Sequence, residues 1–142
     1  MSKSEVAAEL VAAYMSTQYR TFTLSGDIVL RIGEPSSAMC RLIQSAGADG
    51  AAFLTAENPF SEQLCEAENH VRQRSMREDL VLLGATIFDG AGQGEDPSWP
   101  AETSFTAIGI THAEACQLGI KYQQNAIVWI DINGVPELLL LR

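Results

Sequence analysis

Ala126-Ile-Val-Trp-Ile-Asp-Ile132, Asn133-Gly134 and Val135-Pro-Glu-Leu-Leu-Leu-Leu141 read as strand, turn and strand. Asn-Gly supplies the two positive φ angles of a tight type I′ turn, and both flanks are apolar. Pro136 has no N–H to give a neighbouring strand, so it fits only a strand start or a sheet edge. This predicts a C-terminal hairpin at the rim of a sheet. Upstream, Ser104–Ile110 alternates like a strand. Thr111 and Glu114 then have capping-box spacing, which predicts a helix ending near Tyr122.

A second hairpin is expected at the other end, where Tyr19–Leu24 and Asp27–Ile32 flank Ser25-Gly26. Ser2 and Glu5 have capping-box spacing for a first helix near 4–18, with Val6, Leu10, Ala13 and Thr17 on one face. Pro35 opens a helix whose apolar face is Met39, Leu42, Ile43 and Ala46. Ala51–Thr55 is a short apolar strand that runs into Asn58-Pro59, where Asn58 or Ser61 caps a helix over 61–77. Its stripe would be Leu64, Ala67, Val71 and Ser75. Leu80–Phe88 reads as a strand, and Asp89–Thr103, with Gly90, Gly92, Gly94, Pro97 and Pro100, as a long flexible acidic loop. The expectation is one α+β domain over 1–142. It has about four helices, N- and C-terminal hairpins and a mixed sheet of about five to seven strands.

Of 142 residues, 9 are Lys or Arg against 18 Asp or Glu, a net charge of −9. Phosphate binding needs clustered cations, and Lys3 and Lys121 are the only lysines, so no nucleic acid partner is expected. Arg72, Arg74 and Arg77 interleave with Glu68, Glu78 and Asp79, as on a solvated helix with a Glu68–Arg72 pair. No apolar run approaches the roughly 20 residues of a membrane span, and Glu5 and Glu9 interrupt any export signal. Cys40, Cys65 and Cys116 are an odd set without paired spacing. A cytoplasmic protein without membrane partner is expected.

Gly90-Ala-Gly92-Gln-Gly94 lacks the Lys-Ser/Thr of a phosphate loop. Glu66/His70 and His112/Cys116 are i,i+4 pairs without a third ligand at motif spacing, so neither a metal nor a cofactor is expected. The stronger pattern is polar, at the ends of elements. Asn58, Asn69, Arg72, Trp99, Ser104, Gln124 and Asn125 are candidate ligand-binding residues, and Glu102 is the candidate general acid or base. These groups converge if strands 51–55, 104–110 and 126–132 adjoin. The alternative is bracing: Asn58 as a cap, Asn69 pinning a loop carbonyl, Gln124-Asn125 as a helix-ending turn.

Ala52-Phe-Leu-Thr-Ala-Glu-Asn-Pro-Phe-Ser61, Glu68-Asn69, Gly92-Gln-Gly94, Trp99-Pro-Ala-Glu-Thr-Ser104, Ala115-Cys-Gln-Leu-Gly119 and Tyr122-Gln-Gln-Asn-Ala-Ile-Val128 together carry a resemblance. The chain resembles the bacterial domain-of-unknown-function family numbered three-two-nine-three over about residues 19–141. The resemblance implies a small single-domain cytosolic bacterial protein and carries Asn58, Asn69, Trp99, Glu102, Ser104, Gln124 and Asn125 over as site residues. Glu57 departs from the pattern, in which an aromatic or small residue precedes Asn-Pro; a carboxylate there alters the charge preference of any ligand.

Two functions follow from the residues. One is a site for a small polar or nucleotide-like metabolite, with catalysis resting on Glu102. The other is a non-enzymatic acidic module that docks a basic protein partner or regulates another protein through Asp89, Glu95 and Asp96. A homodimer through Leu138–Leu141 is compatible with either.

Overall fold

The computed structural model describes residues 6–98 and 100–142. Trp99 and the Ser2/Glu5 capping box lie outside the described residues. The elements run α1 (Ala8–Ser16), β1 (Gln18–Thr23), β2 (Gly26–Leu30), α2 (Ser37–Ser45), β3 (Gly50–Leu54), α3 (Glu66–Leu82), β4 (Thr86–Gln93), β5 (Glu102–Ile108), α4 (His112–Lys121), β6 (Ala126–Asp131) and β7 (Pro136–Leu140). The α+β class, four helices and both terminal hairpins are as expected. All six pairings are antiparallel, in the order β2-β1-β4-β5-β3-β6-β7, where a mixed sheet was expected.

β3 sits near the middle of the sheet and is buried along its whole length. Alternation along it feeds two cores. Ala52 and Leu54 pack with Met76, Leu80, Leu118 and Tyr122 beneath α3 and α4. Ala51 and Phe53 pack with Met39, Ile43, Val128 and Ile130 on the face that α2 covers. Each large aliphatic side chain so buried contributes roughly 1.5–3 kcal/mol.

Three boundaries moved. The third helix runs Glu66–Leu82 and not 61–77, and it buries Asn69, Gln73, Met76 and Leu80 while Val71 is 66% exposed. Its phase follows the two amides, whose partners are backbone groups far away in sequence. Leu80–Leu82 therefore complete a helix, and the next strand starts at Thr86. The loop expected over 89–103 loses both its ends to strands: Gly90 and Gly92 are inside β4, which runs to Gln93, and β5 starts at Glu102. A Cβ on Gly90 would lie 2.4 Å from the Arg20 carbonyl and 3.1 Å from the Phe53 ring, so close strand packing accounts for that glycine. Thr21 and Thr106, both fully buried, hydrogen-bond each other (2.6 Å) across β4.

Pro136 starts the edge strand, as expected. The turn before it is not type I′. Gly134 alone has a positive φ there, and the Asp131 carboxylate accepts from the Asn133 and Val135 N–H groups. Thr111 and Glu114 form the expected capping box.

Candidate functional site

Antiparallel pairing puts the end of β3 beside the starts of β5 and β6. Leu54, Glu102 and Ala126 therefore share one edge of the sheet. The chain leaving β3 there is strained: Asn58, Phe60 and Ser61 have φ of 50°, 52° and 62°, in the left-handed region. Each such non-glycine residue costs about 1–3 kcal/mol and persists only where its surroundings impose it.

The imposing groups are on α3, at the end of α4 and at the C-terminus. Asn69 accepts from the Asn58 N–H (2.9 Å) and donates back to Asn58 Oδ1 (2.9 Å), which also accepts from the Leu64 N–H. Arg72 Nε donates to the Ala56 carbonyl (2.6 Å), and its Nη2 donates to the Tyr122 carbonyl. Gln73 Oε1 accepts from the Ala56 N–H (2.6 Å), and its amide donates to the Thr103 carbonyl. Asn125 donates to Ser61 Oγ (3.0 Å) and accepts from Arg142, whose guanidinium lies 4.1 Å over the Phe60 ring. Arg72 is thus a strut between two carbonyls, not the expected salt bridge to Glu68, and it makes no ion pair with Glu102 among the described residues.

Above the braced turn lies a cavity of about 640 Å³. α1 closes one side with Leu10, Ala13 and Tyr14. The floor is Phe53 and Val128, Leu54 and Ile127 line it beside them although they pack into the other core, and the rim includes Glu9, Glu95 and Asp96. Of the sequence-derived candidates, Asn58, Glu102, Ser104 and Gln124 line it; Asn69, Arg72 and Asn125 do not, and hold its wall. Tyr14 and Tyr19 line it without having been marked by any motif, and Ser61, read from sequence as a helix cap in the Asn-Pro-Phe-Ser run, lines it too. Tyr14 and Ser61 share a hydrogen bond (3.0 Å), and Tyr19 donates to the Tyr14 carbonyl (2.6 Å). Gln73 was also missed; its signal was a second amide four residues after Asn69, on the same helical face.

Glu102 is the electrostatic centre. Its Oε2 accepts from Asn58 Nδ2 at 3.3 Å. Burial pushes its carboxyl up to about 7, with the Asn58 bond opposing and the nearby Glu57 charge adding to the rise. Burial also raises Glu57, whose Oε1 accepts from the Thr103 N–H (3.0 Å). The Tyr19 phenol is raised too, chiefly by burial. A carboxyl poised near neutrality beside an apolar floor can both donate and accept a proton at ordinary pH.

Elsewhere chemistry is sparse. Among the described residues no group of three or more His, Cys, Asp or Glu is placed to hold a metal. His112 Nδ1 and Cys116 Sγ stand 3.9 Å apart, and burial raises the Cys116 thiol, which disfavours a thiolate nucleophile. Cys40, Cys65 and Cys116 are free thiols. Asp89 lies within β4 in an ion pair with Arg77, while Glu95 and Asp96 line the cavity, so the three form no single docking loop. No described helix is long and apolar enough to cross a membrane.

No curated protein and no solved structure matches the chain. The model of one family, described as protein of unknown function (DUF3293), matches residues 54–127. That segment begins at the end of β3 and closes in β6, and so holds the strained turn, its braces on α3, and both Glu102 and Gln124. The chain belongs to the DUF3293 family of proteins of unknown function.

Proposed function

We propose that the cavity is the binding site of a small molecule with an apolar body and a polar end set against Glu102. The observation that carries this reading is the placement of one half-buried carboxyl, fixed by Asn58, at the inner edge of an apolar-floored space of about 640 Å³. That volume is within the roughly 300–1,000 Å³ of small-molecule sites. A strained turn held by five polar side chains is a costly way to build a mere loop, and a reasonable one to fix a site wall. If the protein is an enzyme, Glu102 is the group that exchanges a proton with the bound molecule. The nucleotide-like ligand envisaged from sequence has less support, since no Lys or Arg lines the cavity among the described residues.

The test is ligand-observed NMR with a library of aromatic fragments, run on wild type and on Ala13→Trp. Ala13 is an exposed α1 residue at the cavity, so the indole fills the space without disturbing either core. Fragments that bind wild type and lose their signal with Ala13→Trp at an unchanged Tm are expected. Hits that bind both proteins equally, or no hits at all, would count against the cavity as the site.

A further inference from the structure

The cavity wall accepts hydrogen bonds more than it donates them. Gln124 is only 8% exposed and lines the space. Both of its hydrogen bonds leave from the amide nitrogen, to the Glu57 carbonyl (3.0 Å) and the Tyr122 carbonyl (3.1 Å). Its Oε1 has no partner among the described residues and is open to solvent, since no buried side-chain oxygen there lacks a partner. Glu102 is engaged through one oxygen only. Asn58 Nδ2, the one side-chain amide donor aimed at Glu102, is already in use.

Charge points the same way. The lining holds the carboxyls of Glu9, Glu95, Asp96 and Glu102 and no cation among the described residues. Glu57 adds a further negative group behind Glu102. Arg72, in the surrounding wall, directs its Nε and Nη2 at main-chain carbonyls, and Arg142 donates to Asn125. Tyr14, Tyr19 and Phe53 bring three rings to the same space. Tyr19 and Phe53 pack edge to face with centroids 5.1 Å apart.

We infer that the ligand is a protonated amine on a ring-sized apolar body, its ammonium set between Glu102 and Gln124 and its body on the Phe53 floor. An ammonium has three donors and no acceptor, which fits a wall of open acceptors, and aromatic faces attract cations. This rests on the cavity being the binding site, as proposed above. A phosphate or carboxylate ligand would meet acceptors and negative charge instead.

Three probes of one shape separate the cases: tryptamine, tryptophol and indole-3-acetate. They are titrated into the full-length ¹⁵N-labelled chain, with amide shifts at Ser61, Glu102 and Gln124 as the readout. Tryptamine is expected to bind about tenfold more tightly than tryptophol, with indole-3-acetate weakest. In Glu102→Gln, which keeps the shape and removes the charge, that preference is expected to fall to about twofold. Tryptophol or indole-3-acetate binding as tightly as tryptamine would overturn the amine assignment and leave the cavity reading standing. A tenfold preference that survives in folded Glu102→Gln would overturn the role given to Glu102. If none of the three moves those amides, the cavity reading falls, and the amine with it.

Discussion

Glu102 ties the chemistry of the site to the stability of the fold. A carboxyl raised from 4.5 to about 7 in the folded chain favours folding while it is protonated. That contribution is complete below about pH 4.5 and is lost as the pH rises through about 7. Wild type should therefore lose roughly 3 kcal/mol relative to Glu102→Gln between about pH 4.5 and pH 8. Urea unfolding of both proteins at the two pH values measures it; a gap that does not change with pH would mean that Glu102 titrates like a solvated glutamate. Glu57 is raised in the same direction and its charge acts on Glu102, so the difference reports Glu102 together with that coupling. Glu102 could be singled out in the sequence because a carboxylate stood near amides at an element end. Tyr14 left no such sign, because its place in the wall depends on α1 folding back over the sheet, and Tyr19 showed only as a residue of β1.

At the scale of elements, the hairpins were legible and the bounds of α3 and β4 were not, for one shared reason. Hairpins are written in alternation and turn residues that act within a few positions. The phase of α3 is decided by Asn69 and Gln73, whose partners are the main chain of residues 56, 58 and 103, and hydropathy counts these amides as surface. β4 carries Gly90 and Gly92, poor strand formers that pair because β1 and β5 flank them. Gly90→Ala is expected to destabilise the chain by about 2–4 kcal/mol, since its Cβ would press on a main-chain oxygen that cannot step aside. Gly94→Ala is the control. Its nearest neighbour would be Thr17 Oγ1 at 3.9 Å, an ordinary contact, so the change is expected to stay within about 0.5 kcal/mol. Chemical denaturation of the two variants decides it, and equal losses would rule out the packing explanation.

Across the whole molecule, stability is unevenly distributed. β3 is buried on both faces and paired on both edges, whereas α1 has no buried residue and is tied to the body by the Tyr14–Ser61 and Tyr19–Tyr14 bonds. Native-state hydrogen exchange should find β3 amides opening only with global unfolding, and α1 amides exchanging by local opening at far lower free energy. α1 protected as strongly as β3 would mean that the cavity is sealed and not gated. The sheet order has a further consequence for biogenesis. β3 acquires its two neighbours only when residues 102–108 and 126–131 exist, the second some 70 residues further along the chain. At about 5–20 residues per second, the ribosome leaves Phe53 and Leu54 without their final partner strand for roughly 4–15 s. For that interval the most apolar strand of the nascent chain is open to chaperones, or to a neighbouring copy emerging beside it.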